Sequence, residues 1–189
     1  MVEGPPSDEG MRFHSTFRHT ASIALLLAAA TALQPAARAQ YDPYEVKARL
    51  IVNFMQGVRW PATAFSEASA SFKVGIYGSD TFGELLNGRS VAGRKVVVVR
   101  SRRTEDLKGC QIVFFAKGAG GRASEIAGSL KGSNVLTVGE TEGFASKGGI
   151  INFVMEGENV RYEVNTAAAG RNGLMIGSQV LRRAKPVGD

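Results

Sequence analysis

The chain has 189 residues, a net charge of +6, one cysteine and two histidines. Both histidines, His14 and His19, precede residue 40, so a domain beginning there has no imidazole for general-base, proton-shuttle or metal-ligand duty. The lone Cys110 excludes an intrachain disulfide and a cysteine-rich zinc site.

In chain order the first element is a leader. Arg12, Arg18 and His19 precede the apolar run 21–33, and Ala37-Arg38-Ala39 has the small-x-small form that a signal peptidase accepts. The run is too short to span a bilayer, which takes about 20 residues. The expectation is an exported protein, with residues 1–39 as N-terminal extension and cleavable signal peptide and residues 40–189 as one domain. Residues 1–10 fit a signal peptide poorly, which makes Met11 an alternative start to Met1. The positive residues are scattered, with small clusters at Arg100-Ser101-Arg102-Arg103 and Arg182-Arg183. No aromatic residue is interleaved among them, so solvated surface is favoured over nucleic-acid binding, and anionic lipid or an acidic partner fits those clusters equally.

An amphipathic helix follows. Asp42 is placed to cap it, Pro43 suits the first helical position, and Glu45 completes a capping box with Tyr41 and Val46 as staple. Val46, Leu50, Phe54 and Val58, with Ile51 and Met55, form the expected buried stripe, Lys47 falls off it, and Pro61 ends the helix at Trp60. Phe72, Val74 and Ile76 alternate with Lys73, Gly75 and Tyr77 as in a half-buried strand. A short helix over 81–86, capped by Asp80 and closed by Asn87-Gly88, comes next. Val96 to Val99 and Ile112 to Phe115 read as interior strands covered on both faces. A helix over 124–131 and a strand over 134–138 continue the alternation. Segments 150–155 and 160–165 form a hairpin around Glu156-Gly157-Glu158-Asn159, and a helix over 166–184, kinked or divided by Gly170, Gly173 and Gly177, closes the chain. The fold class is α/β: one domain, a mixed sheet flanked by helices, with a C-terminal hairpin and closing helix.

Chemistry-bearing motifs are sparse. Glu140 with Glu142, and Glu156 with Glu158, read as surface charge. The cluster Gly118-Ala119-Gly120-Gly121 lies between a strand and a helix, where backbone amides can cradle an anion, but it lacks a P-loop ending and reads first as a connection. Cys110 precedes an apolar run and reads as a buried thiol, with a redox or intermolecular role as the alternative. No cofactor site emerges.

The order of motifs resembles the YfiR family of exported bacterial proteins. The similar stretches include Lys47-Ala48 through Asn53-Phe54 to Trp60-Pro61, Val74-Gly75-Ile76, Val91-Ala92-Gly93-Arg94, Cys110-Gln111-Ile112-Val113-Phe114, Gly148-Gly149-Ile150-Ile151-Asn152-Phe153 and Arg161-Tyr162-Glu163-Val164-Asn165. The resemblance implies a non-enzymatic periplasmic regulator. Such a protein binds and inhibits the periplasmic domain of an inner-membrane diguanylate cyclase, lowers cyclic di-GMP and so restrains biofilm formation. An OmpA-like outer-membrane lipoprotein sequesters it under envelope stress. The resemblance also implies partner contacts toward the C-terminal part, at Phe153, Glu163 and Ile176. Relatives are redox-sensitive through paired cysteines, whereas Cys110 has no partner in its own chain, which leaves joining of two subunits as a homodimer through an exposed site. A periplasmic small-ligand-binding or sensor module without a cyclase partner is the alternative function.

Overall fold

A computed structural model describes residues 1, 4, 41–67, 69–79, 82, 84–119 and 121–187. The leader with its cleavage site, Asp80, Thr81 and Gly120 lie outside the described residues. The fold below is that of the compact unit Asp42–Asp189.

Helix α1 spans Pro43–Gly57. Asp42 caps it, its side chain accepting from the Tyr44 amide at 2.8 Å, an interaction of about 1 kcal/mol. Glu45 does not close a capping box: its carboxylate turns forward to Arg49 at 3.1 Å, a pair with i,i+4 spacing. The helix also stops earlier than Pro61 dictates. Val58–Arg59 is already a short strand, β1, paired antiparallel with Met175–Ile176. Gly57 is buried at this junction, where a Cβ would collide with Val180 and the Gly57 carbonyl accepts the Gly177 amide at 2.8 Å. The buried face is Lys47, Ala48, Ile51, Phe54 and Met55, so the stripe is rotated from the expected one, and Val46 and Leu50 remain half-buried.

The sheet strands are β2 (Phe72–Tyr77), β3 (Ser90–Val91), β4 (Arg94–Arg100), β5 (Ile112–Phe115), β6 (Leu136–Gly139), β7 (Ile151–Glu156) and β8 (Asn159–Val164), in the order β3-β4-β2-β5-β6-β7-β8. The five from β4 to β7 are mutually parallel, with Val74 opposite both Val98 and Ile112, Phe114 opposite Val138, and Gly139 opposite Asn152. β3 and β8 run antiparallel at the two ends. The sequence periodicity misplaced two strands. β2 lies between two neighbours and is buried on both faces except at Lys73, whereas β4 has only the two-residue β3 outside it, so Val97, Val98 and Val99 are half-buried.

Two apolar layers cover the sheet. α1 packs Ile51 and Phe54 with Val74, Ile76, Phe114, Phe153 and Tyr162. On the other side Leu107 and α3 (Arg122–Ser129) pack with Tyr77, Val113, Phe115 and Phe144. A one-turn helix α2 (Thr104–Leu107) precedes β5. Within the expected helix over 81–86, the described residues 82 and 84–86 form turns and bends, with the Leu85 amide donating to the Phe82 carbonyl at 2.9 Å, although Phe82 and Leu86 are buried as their spacing implies. The closing helix is divided into α4 (Thr166–Arg171), strand β9 (Met175–Ile176) and α5 (Ser178–Leu181). Gly173, at φ +68°, permits the reversal after α4, and at Gly177 a Cβ would press on the Gly57 carbonyl oxygen.

Candidate functional site

In the five-strand parallel core the chain starts at β2, crosses to β4 on one side and then returns to β5 on the other. Ligands of open α/β sheets bind outside the carboxyl ends of the strands, where the order reverses. Here the first turn of α1 reaches that end of the sheet. Lys47 forms an ion pair with Glu140, the residue after β6, and the two side chains are 7% and 4% exposed. The Tyr44 hydroxyl donates to the same carboxylate at 3.1 Å, and the Lys117 backbone amide donates to it at 2.7 Å. The Lys47 ammonium also lies 4.2 Å from the centroid of the Tyr44 ring, which packs edge-on against Phe82.

One sequence reading changes as a result. Glu140 is a buried acceptor saturated from three directions, while Glu142 is exposed as expected. Just before the glycine cluster, the Lys117 backbone amide donates to the Glu140 carboxylate of the chain itself. Lys47 carried a usable signal, because Lys47, Ile51, Phe54 and Val58 follow a 3.6-residue period and a cation on such a stripe calls for a buried counter-charge. Beside the network a cleft of about 550 Å³ is lined in part by Tyr44, Lys47, Glu140, Asn152, Phe153 and Met155. Among the described residues no cluster of His, Cys, Asp and Glu could hold a metal ion.

The three anticipated contact residues occupy three different settings. Phe153 is a core residue, 4% exposed, with its ring 6.0 Å from Phe54 and 6.3 Å from Phe114. Glu163 faces the opposite side of the hairpin, half-buried, and accepts from Asn152 Nδ2 at 3.2 Å, with a backbone bridge to Lys185. Ile176 is half-buried in β9 opposite Val58. They do not form one patch.

Cys110 is 3% exposed, its sulfur 3.9 Å from the Asp106 carbonyl oxygen. Burial pushes its pKa up to about 11, an effect that nearby Lys73 opposes. The thiol is therefore neutral at physiological pH. Reaction with Ellman's reagent at pH 8, followed by absorbance, tests this: the native chain is expected to react orders of magnitude more slowly than the urea-unfolded chain, and equal rates would place the sulfur at the surface. Between about pH 9 and 11 the unfolded chain loses this proton first, so the group lowers stability as pH rises through that window.

One solved structure shares the fold at low identity. A conserved domain protein of Vibrio cholerae O1 biovar eltor superposes with a TM-score of 0.51 at 12% identity, over 76% of this chain and 60% of that one. The ABC domain from Streptococcus pneumonia, solved in complex with L-Trp, gives 0.49 at 12% identity, over 77% and 60%. The chain thus spans about 60% of the length of each. No curated protein sequence matches the chain. The family model DUF4154, described as YfiR/HmsC-like, matches residues 44–185, from the first turn of α1 to the last bridged residue of the sheet. The chain belongs to the YfiR/HmsC-like family.

Proposed function

We propose that the protein is a non-enzymatic periplasmic regulator that binds the periplasmic domain of an inner-membrane diguanylate cyclase and holds the enzyme inactive, with an OmpA-like outer-membrane lipoprotein relieving the inhibition. The observation that carries this reading is the family match across residues 44–185, which runs from the first turn of α1 through every later described helix and strand of the domain. Export fits the leader, with its apolar run 21–33 and Ala37-Arg38-Ala39. A domain without histidine suits a protein that acts by binding. Inhibition needs only tighter binding to the inactive cyclase conformation, and about 10⁴-fold preference moves a two-state population from 1:99 to 99:1.

Deleting the gene is expected to raise cellular cyclic di-GMP and biofilm mass, and restoring the full chain to reverse both. Unchanged cyclic di-GMP in a strain whose membrane cyclases are intact would reject the reading.

A further inference from the structure

One side of α1 is only partly covered by the rest of the described chain. Val46 and Leu50, a helical turn apart, are half-buried beside the C-terminal segment that follows α5. A cleft of about 420 Å³ between Leu50, Phe54, Tyr162 and Val180 continues into one of about 480 Å³ between Val46, Leu50, Val160 and Ala184. The two share Leu50, Tyr162, Arg182 and Arg183, and so form one trough. Along α1 it runs from Val46 to Gln56, about 15 Å or three helical turns. Its far wall is fixed: the Tyr162 hydroxyl donates to the Val180 carbonyl at 2.8 Å, and the Lys185 amide donates to the Tyr162 carbonyl at 2.8 Å.

The rim is cationic. Arg161, Arg182 and Arg183 are exposed along it, and no Asp or Glu lines either cleft. Arg161 is paired with Glu156 at 3.4 Å. Arg182 reaches the Ser178 hydroxyl at 3.4 Å, and among the described residues no carboxylate pairs with it or with Arg183. Residues 11–40 do not match this charge, since they carry Arg12, Arg18 and Arg38 and no acid.

We propose that this trough docks an acidic amphipathic segment of a protein partner, with apolar residues four apart seated on Val46 and Leu50 and carboxylates on Arg182 and Arg183. The inference rests on the regulatory reading above and gives it a surface, distinct from Phe153, Glu163 and Ile176. An anionic lipid surface would use the two arginines and leave the apolar floor empty; a protruding peptide segment uses both.

The test introduces Arg182→Glu/Arg183→Glu into the full chain at its own locus and compares cyclic di-GMP with wild-type and deletion strains. A photo-crosslinking residue at exposed Asn53 reports capture of the membrane cyclase. The purified variant is expected to melt with the wild type, cyclic di-GMP to rise toward the deletion level, and crosslink yield to fall about tenfold or more, because like charges meet across the interface. Deletion that raises cyclic di-GMP while the variant stays at the wild-type level overturns the trough alone. Deletion without effect overturns the regulatory reading, and the docking role with it. Full crosslinking together with lost binding to phosphatidylglycerol vesicles assigns the arginines to lipid and also overturns it. If the double variant does not fold, Leu50→Gln and Arg183→Ala are read against the same outcomes.

Discussion

Glu140→Ala is expected to lower the unfolding free energy by about 3–5 kcal/mol, the cost of leaving one member of a buried ion pair alone. The stranded Lys47 ammonium sits on a side chain that is only 7% exposed. The part-buried Tyr44 hydroxyl and the exposed Lys117 amide lose this acceptor at the same time. Urea unfolding followed by far-UV circular dichroism measures the loss as a shift in midpoint. Lys47→Ala is expected to cost a similar amount. Lys47→Met/Glu140→Leu is expected to recover most but not all of it, because an apolar pair removes the uncompensated charge yet takes the Glu140 acceptor away from Tyr44 and Lys117. An Ala variant within about 0.5 kcal/mol of wild type, the ordinary range for surface changes, would show that solvent reaches the pair.

Such a network was only partly legible in the sequence. Local patterns read well: the cap at Asp42, the interior strand Ile112–Phe115 and the hairpin closed at Gly157 each follow from a few neighbouring residues. What failed depends on partners far along the chain. Glu140 looks like surface charge until α1, 93 residues earlier in sequence, brings Lys47 to it. α1 was expected to run to Pro61, but Gly57 and Gly177 meet backbone to backbone, and that contact turns the chain into β1. β4 reads as interior because four consecutive valines satisfy either a covered or an edge position, and only the brevity of β3 decides between them. The same limit applies to the trough. Val46 and Leu50 have the spacing of core residues, and nothing local indicates that the rotated helix would leave them beside Arg182 and Arg183.

Phe54→Ala and Phe144→Ala are each expected to destabilise the domain by about 3–5 kcal/mol, the range for emptying a large aromatic site in a packed core. They probe opposite faces of the sheet. Phe54, fully buried in α1, stacks on Phe153 and meets Tyr162 edge-on with centroids 5.0 Å apart, so its removal opens a hole beneath the trough as well as in the first layer. Phe144 belongs to the second layer, beside Phe115 and directly over Gly139 and Gly149, where a Cβ at either glycine would run into its ring. Because the intervening sheet separates the two clusters and they share no partner ring, the losses should add within about 0.5 kcal/mol. Natural domains hold about 5–15 kcal/mol in total, so the double variant is expected to be largely unfolded in the absence of denaturant, visible as lost near-UV circular dichroism. The singles should separate by function: Phe144→Ala retains partner capture while folded, and Phe54→Ala loses part of it through the trough floor. Strong coupling between the two substitutions would mean that the faces are not independent layers, and equal capture by both folded singles would detach the trough from the core that supports it.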